Sequence, residues 1–253
     1  METGNKRTAV VTGGAGGIGL ASATALAAQG FGVVLLDRSA DEALKAADTL
    51  RGSGAAVRVV VADLASLAEV VRAADDILAA GGCDVLVNNA GIHPKKNGGK
   101  FETPEIPLDD WERVLRVNLT APFLLCQRLM PGMRAKGWGR VVNIASRAGR
   151  TYIPTVTAHY STSKAGLIGF TRQLAGEFAA DGVTVNCVAP GPVTTALSSQ
   201  NSPEVRERLM KSVPIGRASV PAEIASAVAF LASDAASYMT GAVLDVNGGG
   251  FMG

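Results

Sequence analysis

Short apolar runs recur along the chain at Ala9–Val11, Val33–Leu36, Val57–Val61, Val85–Val87, Val141–Ile144, Val183–Val188 and Val243–Val246. They are rich in β-branched residues and nearly continuous rather than alternating, which predicts strands buried on both faces. Between them lie longer alanine-rich or amphipathic stretches, Ala21–Gln29, Glu42–Arg51, Leu67–Ala80, Asp109–Arg134, Ala158–Ala180 and Glu223–Ala232, which predict helices. Strand and helix alternating in this way define an α/β fold. Right-handed crossovers then give a doubly wound, mostly parallel sheet of seven strands with helices on both faces, as in Rossmann-like domains. No repeat or low-complexity linker divides the chain, so residues 1–253 read as one domain. Two irregular loops stand out, Pro94–Pro107 with three lysines and Pro190–Pro203, the latter followed by the short amphipathic stretch Glu204–Lys211. Residues 192–211 are expected to form a mobile flap over a ligand.

Composition narrows the function by exclusion. Apolar residues are 47%, charged residues 18% and the net charge is +2, too small a bias to predict nucleic acid or a membrane surface as partner. Cys83, Cys126 and Cys187 are far apart and odd in number, which fits neither a disulfide framework nor a metal site and favours a reducing compartment. From Thr8 to Leu36 no charged residue occurs, yet seven glycines interrupt the run, five of them between Gly13 and Gly19. A strand, a glycine turn and a buried helix explain that run better than a membrane span. Met1–Arg7 lacks the apolar stretch of a secretory signal, so a cytoplasmic location is expected.

The glycine turn, Thr12-Gly-Gly-Ala-Gly-Gly-Ile-Gly19, joins the first predicted strand to the first helix. Glycines there allow backbone N–H groups to approach a pyrophosphate at a helix N-terminus. Three glycine registers fit at once, so the turn predicts a dinucleotide without assigning a family. Asp37 ends the second strand, where a carboxylate can accept both ribose hydroxyls of NAD and repel a 2′-phosphate. Arg38 follows it and is able to pair with such a phosphate. No basic residue lies inside the turn, and the balance favours NAD over NADP.

Tyr160 and Lys164 stand four residues apart on one predicted helix face, with Ser146 at the end of an apolar strand upstream. A tyrosine titrates near ~10 and is a poor base at neutral pH. A lysine cation about 5 Å away, at an effective dielectric of about 20, favours phenolate by roughly 3 kcal/mol, on the order of two pKa units. Desolvation opposes this, so the figure is an upper bound. The trio predicts proton exchange with an alcohol oxygen.

With Asn88-Asn-Ala-Gly91 added after the fourth strand, the chain resembles the short-chain dehydrogenases/reductases in their compact single-domain branch. The resemblance runs from about Lys6 to the C-terminus through Thr12-Gly-x-x-x-Gly-x-Gly19, Asp63-Leu64, Asn88–Gly91, Asn118, Ser146, Tyr160-x-x-x-Lys164 and Pro190-Gly191. It selects the register Gly13, Gly17, Gly19, with Ile18 inside it. It implies that Ser146 binds the substrate oxygen, Tyr160 exchanges its proton, and Lys164 stabilises the phenolate and holds the nicotinamide ribose. It further implies that Asn118 holds a water, that Asp63 and Leu64 meet the adenine, and that Asn89, Ala90 and Gly91 line the cofactor. Pro190 and Gly191 would turn beside the nicotinamide, with Val193 and Thr195 at its amide.

A homotetramer is implied as well, with no metal. Two departures mark this chain: the Ser146–Tyr160 interval is one residue longer than the commonest spacing, and Asn247 stands where relatives often carry Asp. His93 reads as a surface or pocket-rim residue. Lys95, Lys96 and Lys100 read as a solvated loop or as attraction for an anionic substrate. The expected reaction is interconversion of a secondary alcohol and a ketone. The alternatives are NADPH-linked reduction of 3-oxoacyl groups on acyl carrier protein, and a non-catalytic dinucleotide sensor.

Overall fold

The computed structural model describes residues 7–253. Seven strands form one sheet in the order β3-β2-β1-β4-β5-β6-β7, and every pairing between them is parallel. They are β1 (Thr8–Thr12), β2 (Gly32–Asp37), β3 (Val57–Val61), β4 (Val85–Asn88), β5 (Gly139–Ile144), β6 (Val183–Pro190) and β7 (Val243–Val246). The helices are α1 (Gly17–Ala28), α2 (Ala40–Gly52), α3 (Leu67–Ala79), α4 (Leu108–Leu115), α5 (Ala121–Lys136), α6 (Ala158–Phe178), α7 (Ala196–Ser199), α8 (Pro203–Lys211) and α9 (Pro221–Ala232).

Alternation along each strand divides the core. Val10, Val34, Leu36 and Leu86 face a layer with α3, α5 and α6, while Ala9, Val11, Val33 and Leu35 face α1, α2 and α9. Ser39 and Ser66 accept from backbone N–H groups of Glu42 and Glu69, which starts α2 and α3 where the apolar strands end. Strand order reverses between β1 and β4, and the crevice beyond their C-terminal ends is the ligand position of such sheets.

One predicted helix is corrected. Asp109–Arg134 is helical throughout but not regular: a π turn, Arg116–Thr120, lies between α4 and α5 and has Asn118 at its centre. A buried polar ladder also crosses the core. Asn88 Nδ2 donates to Asn143 Oδ1 (2.8 Å), and Asn143 Nδ2 donates to Thr171 Oγ1 (2.9 Å), tying β4 and β5 to α6. No described helix is long and apolar enough to cross a membrane.

Candidate active site

A cleft of about 460 Å³ opens at the C-terminal ends of β1, β2, β4, β5 and β6. Its floor is the glycine turn. Gly13 (φ +61°) and Gly17 (φ +54°) occupy the left-handed region that favours glycine. Helix α1 begins after Gly16 with no side-chain cap and no acidic residue in its first turn, leaving its N–H groups for an anion. Gly17 and Ile18 line the cleft, but Gly19 does not: a Cβ there would come within 2.0 Å of the Gly13 carbonyl oxygen. Gly19 therefore acts by allowing the turn to close on itself. Asn89 holds that turn, its Nδ2 donating to the carbonyls of Thr12 (2.9 Å) and Gly13 (3.2 Å).

One end of the cleft is acidic. Asp37 accepts from the N–H groups of Ala15 (3.0 Å) and Ser39 (3.2 Å), which pins its carboxylate at the end of β2. Asp63 accepts from Ala65 N–H (2.9 Å), and Leu64 lies beside it. Arg38 lines the same end. The open helix N-terminus, the close-packed glycines and the carboxylate at the strand end form a cradle that fits a dinucleotide.

At the other end Ser146, Tyr160 and Lys164 meet. Ser146 follows β5 and accepts from Ala148 N–H (3.1 Å), while Tyr160 and Lys164 project from the first turns of α6. Lys164 Nζ donates to the Ile144 carbonyl (2.7 Å) and lies 5.7 Å from the centre of the Tyr160 ring. Burial lowers Lys164 to about 8. The Tyr160 phenol is pushed up by burial, which outweighs a hydrogen bond with Ser146. This corrects the downward shift expected from Lys164: desolvation is the larger effect. Ala90, Gly91, Pro190, Gly191, Val193 and Thr195 also line the cleft.

Asn118 lies behind the cleft rather than in it, fully buried. Its Oδ1 accepts from Ile92 N–H (2.8 Å), and its Nδ2 donates to the Ile92 carbonyl (3.0 Å) and Ser163 Oγ (3.0 Å). Ser163 Oγ in turn donates to the Tyr160 carbonyl (2.7 Å), so the π turn braces the start of α6.

His93, read from the sequence as a surface or pocket-rim residue, lines the cleft but is buried there. It is 6% exposed, and its ring stacks on Tyr160 with centroids 4.4 Å apart. Nε2 accepts from Thr157 N–H (3.3 Å), and Nδ1 stands 2.9 Å from Lys95 Nζ. Burial and the neighbouring lysine lower its pKa to about 2. The three loop lysines also differ. Lys96 pairs with Glu105 (2.6 Å) and Lys100 with Glu102 (3.2 Å), whereas Lys95 lines the cleft.

Within the Ser146–Tyr160 interval Tyr152 is 77% exposed while Ile153 stays buried. Asn247 uses both halves of its amide on Phe251, donating to its carbonyl (3.2 Å) and accepting from its N–H (3.3 Å). A carboxylate cannot donate that first bond. Arg147, next to Ser146, donates to the carbonyls of Ser212 and Gly250. Among the described residues no cluster of ligands suits a metal ion.

A family model described as enoyl-(acyl carrier protein) reductase matches residues 13–250. The chain belongs to the short-chain dehydrogenases/reductases, and it is an oxidoreductase acting at CH–OH and ketone groups. The 3-oxoacyl-[acyl-carrier-protein] reductase of Aquifex aeolicus is 40% identical over 247 residues, 97% of each chain. A 3-oxoacyl-[acyl-carrier protein] reductase from Brucella melitensis with bound NAD superposes with a TM-score of 0.91 at 37% identity, covering 98% of this chain and 93% of that one. A Beutenbergia cavernae protein assigned as an NAD(P)-dependent gluconate 5-dehydrogenase, with bound NADP, superposes with a TM-score of 0.90 at 40% identity, covering 96% of both.

Proposed function

We propose that this chain transfers a hydride between NAD and a secondary alcohol or its ketone, with Tyr160 as acid and base. The observation that carries this reading is the meeting of Ser146, Tyr160 and Lys164 in the same cleft as the open N-terminus of α1. A bound nicotinamide supplies or takes the hydride. Ser146 orients the substrate oxygen, Tyr160 exchanges its proton, and the buried Lys164 ammonium stabilises the phenolate and binds ribose. Asn118 fixes the start of α6 from behind. Asp37 at the ribose selects NAD; Asp63 and Leu64 bound the adenine, and Val193 and Thr195 meet the nicotinamide amide. Tyr160→Phe keeps the ring and removes the proton carrier. Turnover falls by roughly 10²-fold or more while NADH binding, read by fluorescence, persists. Near-normal turnover of that variant overturns the mechanism.

The names of the Aquifex and Brucella relatives favour a second reading, reduction of 3-oxoacyl thioesters on an acidic carrier. Against it, Lys96 and Lys100 are already paired with glutamates, and Asp37 opposes NADPH. We further propose a cytoplasmic homotetramer of single-domain subunits. The support is on the outer faces of α5 and α6, where Phe123 is exposed against Phe170, and Gly169 and Gly176 leave open space for another helix. Light scattering showing only monomer at micromolar protein rules the tetramer out.

A further inference from the structure

The substrate end of the cleft has an unbalanced charge. Among the described residues the carboxylates lining the cleft are Asp37 and Asp63, both at the end bounded by β2 and β3. Beside Tyr160 the lining carries Lys95, Arg147 and Lys164 and no carboxylate. Two of these cations are engaged by neutral oxygens: Lys164 by the Ile144 carbonyl, Arg147 by Ser212 and Gly250. Lys95 has neither an ion-pair partner nor an oxygen acceptor among the described residues. Its one close polar contact is His93 Nδ1.

That contact does not satisfy an ammonium. His93 Nε2 accepts from the Thr157 N–H, so in the neutral ring the proton sits on Nδ1 and faces Lys95. An ammonium at Lys95 therefore meets a donor and has no counter-ion, in a half-buried position where the missing partner is costly. Burial accordingly brings Lys95 down to about 8. A second, independent sign of a missing ligand lies in the same lining. Thr155 is 9% exposed with its Oγ1 unpartnered, and Asn201 Oδ1 across the cleft is also unpartnered.

We propose that the substrate is a small oxo acid or the matching hydroxy acid, whose free carboxylate pairs with Lys95 while Thr155 and Asn201 meet its other polar groups. The inference rests on the oxidoreductase reading above and names the substrate class of that site. The carboxylate supplies Lys95 with the counter-ion the fold withholds, and His93 between Lys95 and Tyr160 sets the spacing from the anion to the reacting carbon. Lys95 is thus a specificity residue, separate from the proton-transfer group.

The test compares acetoacetate, levulinate and 5-oxohexanoate, each beside its methyl ester, by calorimetric titration into the NADH complex and by kcat/KM for reduction. At least one acid is expected to bind tenfold more tightly than its ester. Lys95→Met is expected to reduce that acid-to-ester ratio at least tenfold, and Lys95→Arg to restore most of it. An ester that matches its acid in both measurements for every pair overturns the proposal, as does a ratio unchanged in Lys95→Met. Reduction of the esters or of acetoacetyl-CoA without preference for any free acid overturns it too, yet leaves the oxidoreductase reading standing. Failure of the chain to bind NADH at all is the outcome that removes the reading beneath it.

Discussion

The imidazole of His93 lies on the phenol of Tyr160, with ring centroids 4.4 Å apart and planes 21° from parallel. The stack holds the phenol by its face, while Asn118 and Ser163 hold the backbone of the same residue. Stacked aromatic pairs are worth about 0.5–1.5 kcal/mol beyond burial, and losing one releases the ring into other orientations. His93→Ala is therefore expected to lower kcat by about tenfold, while His93→Phe keeps the stack and most of the rate. Equal kcat in His93→Ala and wild type removes His93 from the positioning of Tyr160.

Cofactor choice is expected to turn on Asp37. Its carboxylate is pinned by the Ala15 and Ser39 N–H groups, where it is expected to accept from ribose hydroxyls and to repel a 2′-phosphate, with Arg38 beside it free to pair with such a phosphate once the carboxylate is gone. Asp37→Ala is expected to cut the NAD-to-NADP ratio of kcat/KM by about tenfold or more, the worth of a charge-assisted hydrogen bond. A wild-type enzyme that already prefers NADP refutes the argument.

The direction of reaction is expected to follow pH. Burial raises the Tyr160 phenol and lowers Lys164 to about 8. Below about pH 8, then, the phenol holds its proton and Lys164 its charge, the forms that ketone reduction needs. Reduction is expected to stay level below that pH and fall above it, while alcohol oxidation, which needs phenolate, climbs through the alkaline range. Parallel kcat/KM profiles in the two directions contradict this assignment.

Stability is expected to depend on the ladder from Asn88 through Asn143 to Thr171. Asn143→Ala leaves the Asn88 amide with only its long contact to Cys126 Sγ (3.6 Å), while the Thr171 hydroxyl keeps its bond to the Leu167 carbonyl (2.8 Å), and the loss is expected to cost about 1–3 kcal/mol in all. Urea unfolding checks it: a variant within about half a kcal/mol of wild type shows that water or repacking satisfies the Asn88 amide.

The segment 192–211 is expected to behave as a flap. Helix α8 buries no residue, and the segment is clasped to the opposite loop by the Ser202 N–H donating to the Gly98 carbonyl (2.9 Å). Leu197 and Leu209 face the cleft. Hydrogen exchange in residues 203–211 is expected to slow when NADH and a ketone substrate are bound. Equal, strong protection with and without ligands marks a fixed wall.

The strands were legible because burial on both faces demands nearly continuous apolar runs, as in Val33–Leu36. Ser146, Tyr160 and Lys164 announced themselves through spacing on a strand end and a helix face. His93 and Lys95 did not. His93 is a lone imidazole whose burial arises only when the loop after β4 folds onto α6, and nothing local distinguishes Lys95 from Lys96 and Lys100. Their difference is which of them the loop folds back onto Glu102 and Glu105. Nor does composition mark the π turn: Arg116–Thr120 contains no glycine or proline to break a helix.

That π turn sets a phase. An α-helix advances about 100° per residue, so one extra residue in a single turn rotates everything after it by about that angle. Here the rotation lets Asn118 address Ile92 and Ser163 of α6 while α5 turns Leu125, Leu129 and Met133 into the core. A straight helix over the same residues satisfies one half and misdirects the other. Removing one residue from Arg116–Thr120 therefore trades the brace under Tyr160 against the packing of α5, and a substitution at any single position cannot reconcile the two.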